Sequence, residues 1–290
     1  ASGEVAGARN VTLCPGWTYE SIPVFSRLIA QLRQLRRCDM VSLGIGYNER
    51  DIILLSWLLW LCRVKLVLMS ESKFDDCPRR LGFELFKSWL LTPYRAAIVG
   101  GARHMDYMRF LGFRRRRVLP GYDGVGIERI RAEGRGELAP GGVAYTQRHF
   151  VFVGRFVEKK NLFGLIEGYA AYVAAAGPGA RGLVLAGSGP LEEQLRRRIA
   201  DLGIAGLVDF PGFLPAREVS RLLADSLALV LVSSVEQWGL VVNEALAVGL
   251  PAIVSDAVGS RDALVRNLVN GYVVERGSLA GLATAMTALA

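Results

Sequence analysis

The chain is poor in the residues that build the commonest metal and covalent centres. Its 290 residues include four cysteines, Cys14, Cys38, Cys62 and Cys77, and two histidines. No CxxC pair is present, which excludes the usual zinc-ligand spacing, and the scattered thiols describe no disulfide framework, so reduced cysteines in a cytoplasmic protein are expected. His104 and His149 stand in basic, polar settings without a Ser/His/Asp signature, and neither is expected to be catalytic. No Asp-x-Asp triplet offers itself to a divalent cation, so no metal is expected. The longest uncharged apolar run, Ile52 to Cys62, stops at Arg63 and Lys65. It falls well short of the roughly 20 residues that span a bilayer and predicts a buried helix leading into a strand. No charged segment followed by an apolar stretch opens the chain, so a signal peptide is not expected.

What is present describes a folded α/β protein. Half the residues are apolar (51%), 33 are glycine and 21% are charged, and the length allows two cores. The net charge of +8 is uneven: residues 1–150 carry 23 Lys and Arg against 14 Asp and Glu, a balance of +9, while residues 151–290 carry 12 against 13. Arginine runs such as Arg114 to Arg117 and the pair Arg36 and Arg37 are suited to anionic membrane lipid, a phosphorylated acceptor or nucleic acid, and equally to a plain solvated face.

Short apolar strands alternate with amphipathic helices, the pattern of parallel sheets covered on both faces. In the first half the pattern predicts strands at 40–43, 64–69 and 96–99 and helices near 21–36 and 80–91. Residues 132–148 lack apolar periodicity and read as a linker, placing a boundary near residue 145: a domain over 1–145 and another over 146–290. In the second, strands are expected at 150–153, 182–186, 208–210, 227–232 and 252–255, with helices at 161–175, 191–202, 216–225 and 240–248. Ligands of such sheets bind at the carboxyl ends of the strands.

Three strand-end loops carry the chemistry. In the first, Gly154 lets the backbone turn, and Arg155 and Lys160 supply two cations that suit either a diphosphate or a solvated basic loop. The second, Gly187 to Pro190, has a GxG but no third glycine, which counts against a dinucleotide fingerprint. It reads either as a turn packed beside a nucleotide or as a plain strand-to-helix turn. The third, SSVEQWGLVVNEALAVGLP over 233–251, sets Glu236 in a loop and Glu244 in the following helix. Either the loop folds back so that both carboxylates accept from sugar hydroxyls in one cleft, or Glu244 is an exposed helix residue and Glu236 a loop charge. The helix that starts at Gly239 and Leu240 turns its N–H groups and positive end the same way, which favours a diphosphate.

The stretches VGRFVEKKN, LAGSGP, DFPGFLP, EQWGLVVNE with ALAVGLP, SDAVGSRD and NGYVV run in order across residues 150–282. Together they resemble the donor domain of the GT-B glycosyltransferases of family 4, the retaining group with two glutamates seven residues apart. The resemblance implies two Rossmann-like, doubly wound domains facing a central cleft, the first incomplete, with the usual ends of the family missing. It also implies a hexosyltransferase-like enzyme of polysaccharide biosynthesis that needs no cofactor or metal beyond its nucleotide-sugar donor.

By the same resemblance, Arg155, Lys160 and Glu236 are the catalytic set. Arg155 and Lys160 would bind the diphosphate and stabilise the leaving nucleotide, and Glu236 would hold the transferred sugar. Glu244 would hold the ribose, and Gly154, Gly187, Gly189, Phe213, Leu214, Trp238, Gly239 and Leu240 would complete the donor site. Trp238 stands where phenylalanine is usual, and Ser260 and Asp262 replace a common Gly and Glu. A glycan, lipid-linked or small-molecule acceptor is expected, possible contact with an anionic inner membrane face is expected from the basic first half, and nucleic acid is not expected. Two alternatives remain: a sugar-nucleotide epimerase of the same fold, and a non-catalytic nucleotide-sugar-binding protein at a membrane surface.

Overall fold

A computed structural model describes residues 21–44, 49–136, 138–139 and 142–290. By contact the chain divides into two compact units. The first takes the described residues up to Ser70 with Arg79–Ile98 and Met108–Leu119; the second takes Glu71–Pro78, Val99–Tyr107 and Pro120–Ala290.

The first unit is built on a sheet in the order β1 (Met40–Leu43), β2 (Lys65–Ser70), β3 (Tyr94–Val99) and β4 (Arg117–Pro120). The helices of this part of the chain are α1 (Val24–Leu35), α2 (Arg50–Leu61), α3 (Leu81–Leu90) and α4 (Ala102–Phe110). The apolar run over 52–62 does form a helix, but only one side of it is buried. Ile52, Leu55 and Leu59 are enclosed, whereas Leu54, Trp60 and Leu61 are exposed.

The second unit holds a six-stranded sheet in the order β10-β9-β8-β5-β6-β7. Its strands are β5 (Phe150–Val153), β6 (Leu183–Ala186), β7 (Val208–Gly212), β8 (Ala228–Leu231), β9 (Ala252–Ser255) and β10 (Gly271–Val274). All pairings within it are parallel. Strands β6, β8 and β9 are buried along their whole length, as expected of strands covered on both faces. The helices are α5 (Ile127–Glu133), α6 (Leu162–Ala176), α7 (Glu192–Asp201), α8 (Ala216–Asp225), α9 (Leu240–Ala247), α10 (Arg261–Leu264) and α11 (Leu279–Leu289).

The chain winds outward from β5 through β6 to β7, then returns to β8 and winds the other way to β10. Neighbours β5 and β8 therefore flank the point where the winding reverses, and their trailing loops diverge to leave a crevice. This is the feature that positions the site.

The strands and helices expected over 150–255 fall within two residues of their observed bounds. The segment expected as a loose linker is instead tied down. It begins in α5, whose Arg131 donates to the Ala247 carbonyl at 2.8 Å, and Ala139 N–H donates to the Val248 carbonyl at 2.5 Å. Tyr145 Oη reaches the Leu289 carbonyl at 2.7 Å. Backbone carbonyls of the second unit anchor it, and apolar periodicity reports nothing about such bonds. Cys38, Cys62 and Cys77 are free and exposed; Cys14 lies outside the described residues. Among the described residues no helix is long and apolar enough to cross a membrane.

Candidate functional site

The loops that follow β5 and β6 are laid against each other backbone to backbone. Gly154 N–H donates to Ala186 O at 3.0 Å, Phe156 N–H to Ser188 O at 2.8 Å and Leu191 N–H to Phe156 O at 3.2 Å. That approach explains the GxG. A Cβ at Gly187, whose φ is +138°, would collide with the Gly154 carbonyl, and one at Gly189 would sit 2.5 Å from Phe156 O. The two glycines thus serve the joint between the loops. Above it lies a cavity of about 160 Å³ lined by Gly154, Arg155, Gly187, Phe213 and Leu214 together with Ser188 and neighbouring apolar residues. Five residues assigned to the donor site from the sequence are brought together there. A larger cavity, about 460 Å³, opens near Arg148, Arg181 and Gly182 at the opposite ends of the same strands, away from the loops where ligands of such sheets bind.

The reversal point carries the charges. Lys160 closes a short turn after β5, and Glu236 lies in the loop after β8. Lys160 Nζ donates to Glu236 Oε2 at 2.5 Å, and Ser233 Oγ donates to the same oxygen at 2.9 Å. Glu236 is only 8% exposed. Its loop is fixed further by Ser234 N–H to Lys159 O at 2.8 Å and by Ser255 Oγ to Ser233 O at 2.6 Å. Arg155, by contrast, is exposed at the mouth of the loop.

Gly239 adopts a left-handed φ of +93° and starts α9. The first bond of that helix runs from Val242 N–H to Gly239 O, so the N–H groups of Leu240 and Val241 precede it, the usual condition of a helix start. Glu244, half-buried on α9, has the charges of Arg129 and Glu133 on α5 as neighbours. Burial holds its carboxyl above the usual range, Arg129 opposes that and Glu133 adds to it. The two glutamates therefore keep different company: Glu236 has a lysine and a serine, and Glu244 faces the side chains of α5.

Trp238 is enclosed, at 5% exposure. Its Nε1–H donates to Asn243 Oδ1 at 2.9 Å, and Asn243 Nδ2 donates to the Asp123 carbonyl at 3.0 Å. The ring packs on Gly100 and Gly101, where a Cβ at Gly100 would lie 2.6 Å from its Cε3. The indole is an anchor for the Glu236 loop.

The segments that surround that anchor come from the first half of the chain. His104 is fully buried. Its Nδ1 accepts from Gly101 N–H at 3.2 Å, and its Nε2 lies 2.9 Å from the Gln237 carbonyl. These partners fix the neutral tautomer with the proton on Nε2, and burial depresses its pKa. Arg103 pairs with Asp75 at 2.6 Å, donates to the Asp256 carbonyl at 3.2 Å and lies 3.6 Å from Asp262. Asp123 is 7% exposed and its Oδ2 has no hydrogen-bond partner among the described residues. Burial, and then the negative charge of Glu71, push its pKa up to about 7. All of these residues follow strand ends, at the close of β2, β3 and β4, and that position is the signal that marks them.

Comparison with known proteins bears on the family and the fold. Residues 139–290 match the family described as "Glycosyl transferases group 1". The lipopolysaccharide core biosynthesis glycosyltransferase LpsE of Rhizobium meliloti is 32% identical over 61% of this chain and 48% of its own length. The chain spans less than half the length of such curated relatives. Among solved structures, the apo form of the lipopolysaccharide outer core galactosyltransferase WaaB superposes with a TM-score of 0.69 and 19% identity, covering 92% of this chain and 70% of that one. Anabaena HepE in complex with UDP-glucose gives 0.67 and 18%, over 90% and 71%. The architecture is the GT-B fold.

Proposed function

The chain belongs to the group 1 glycosyl transferases, and from that premise we propose that it moves a sugar from a nucleoside-diphosphate sugar to a glycan or lipid-linked acceptor, with retained configuration. The observation that carries this reading is the Lys160–Glu236 ion pair at the winding reversal, next to the cavity of Gly154, Arg155, Gly187, Phe213 and Leu214. A cation and a carboxylate at one crevice match the two ends of a donor, its diphosphate and its sugar hydroxyls.

In this reading residues 146–290 form the donor-binding domain. Arg155 and Lys160 take the diphosphate and stabilise the charge that grows on the leaving nucleotide, and the backbone at Gly239 and Leu240, where α9 starts, reaches the phosphate next to the sugar. Glu236 accepts from hydroxyls of the transferred sugar and Glu244 from those of the ribose. Trp238 positions the loop that carries Glu236. UDP-glucose is bound by HepE, and a Mycobacterium tuberculosis relative is named a GDP-mannose-dependent mannosyltransferase, so the experiment must span bases. Calorimetric titration with UDP, GDP, ADP and dTDP and their sugar conjugates tests the reading. Saturable binding of one nucleotide that disappears in Arg155→Ala with Lys160→Ala supports it. Unchanged binding in that double variant overturns the site, and conversion of the donor with no acceptor present indicates an epimerase.

A further inference from the structure

Helix α3 is turned inside out. Its two charged residues face inward: Glu84 and Lys87 are buried and paired at 3.1 Å, with Arg79 3.5 Å from the same carboxylate oxygen. Its apolar residues face solvent: Leu81, Phe83, Leu85, Phe86 and Trp89 are each 51 to 67% exposed. An ordinary surface helix buries its apolar stripe and shows its charges.

The patch continues onto α2. The Trp57 ring lies 5.2 Å from Trp89 and 5.6 Å from Trp60, and Leu54, Trp60 and Leu61 on that helix are exposed. The acidic residues of the two helices are Asp51 and Glu84, and both are buried and ion-paired, Asp51 with Arg27 at 2.6 Å. The outer side of α2 and α3 thus presents leucine and aromatic rings without a carboxylate. Exposed cations stand at its margins: Arg80 immediately before Leu81, and Arg63 and Lys65 just after Leu61.

We infer that this face of α2 and α3 seats the protein on an anionic lipid bilayer, with the tryptophan and phenylalanine rings at headgroup depth and the flanking cations on lipid phosphates. Tryptophan favours that interface because its ring is apolar and its N–H reaches water, and phenylalanine and leucine enter from the apolar side. The charge arrangement selects this occupant: arginine and lysine at the ends of an apolar face whose two helices expose no carboxylate complement a negative surface, whereas a second copy of the same face would set like charges together. The surface lies in the first unit and its test reads binding and not turnover, so it stands apart from the donor site.

The experiment is co-sedimentation of the full chain with vesicles of phosphatidylcholine alone and of phosphatidylcholine mixed with phosphatidylglycerol. The wild type should pellet with the mixed vesicles only, and less so as salt rises. Phe86→Ser with Trp89→Ser should abolish pelleting, and Arg63→Gln with Arg80→Gln should weaken it by about fivefold per cation removed. Both variants should keep the wild-type circular dichroism and melting temperature, since the altered side chains are exposed. Three results would overturn the inference: a wild type left in the supernatant, undiminished pelleting of the aromatic variant, or a dimer in sedimentation equilibrium that the aromatic variant dissolves while vesicles stay unbound.

Discussion

Lys160 Nζ sits 2.5 Å from Glu236 Oε2 across the crevice between β5 and β8, with the two side chains only 14% and 11% exposed. A pair so enclosed holds both loops in register, and in the proposed function each partner receives a group of the donor.

Removing one partner should therefore separate folding from binding. Lys160→Ala strands the Glu236 carboxylate and should lower stability by about 2–3 kcal/mol, near the lower end for a broken enclosed pair. It should also weaken donor binding by tenfold or more, about 1.4 kcal/mol. Adding Glu236→Gln to Lys160→Ala should restore most of the stability in a urea titration and none of the binding in calorimetry. Recovery of binding in the double variant would remove Lys160 from the diphosphate site.

The joint between the β5 and β6 loops should tolerate no side chain. Gly189→Ala places a methyl 2.5 Å from Phe156 O and 2.7 Å from Phe156 N, atoms that cannot move without breaking the Phe156–Ser188 and Leu191–Phe156 bonds. A loss of about 3 kcal/mol in chemical denaturation is expected. Gly206→Ala, where no atom lies within 4 Å of the new methyl, should change stability by less than about 0.5 kcal/mol. Equal effects of the two substitutions would mean that the joint is softer than its geometry.

The second unit was legible in the sequence because its buried strands, such as Ala252–Ser255, are unbroken apolar runs that end in glycine, serine or charge. The loop residues Arg155, Lys160 and Glu236 stood out for the same reason. The support around Trp238 did not. His104, Arg103 and Asp123 bond to Gln237, Asp256 and Asn243 across 133, 153 and 120 residues, and no local pattern reports contacts so distant along the chain. Helix α3 shows the converse limit: its periodicity is plain, yet it says nothing of which side faces out, and the charged side of this helix is the buried one.

Trp238 and Gly100 should behave as a matched pair. A methyl at Gly100 would lie 2.6 Å from Cε3 and 2.9 Å from Cζ3 of the indole and 2.8 Å from Asp123 Oδ2. Gly100→Ala should cost about 2 kcal/mol by overpacking. Combining it with Trp238→Phe removes the outer ring and should return part of that loss, so the double-mutant cycle should show coupling of about 1 kcal/mol. Additive losses in thermal melts would show that the clash is relieved elsewhere.

Asp123 should make stability depend on pH in the direction opposite to an ordinary carboxylate. In the unfolded chain it gives up its proton near 3.8, and in the folded chain, where burial and Glu71 oppose its charge, at about 7. Between those values the folded state holds more protons than the unfolded state, so stability falls as pH rises through the window and stays reduced above it. Asp123→Asn removes the penalty while keeping the shape, and should stabilise the protein by on the order of 1–2 kcal/mol at about pH 8 and by little at about pH 4. His104 contributes with the other sign. Its depressed pKa costs stability as pH falls below its ordinary 6.5, but that contribution is present in both proteins and cancels in the difference between variant and wild type. Melting curves of the two across this range are the check. A difference that does not grow with pH would mean that Asp123 is ionised in the folded protein, and that the surroundings of Trp238 solvate it after all.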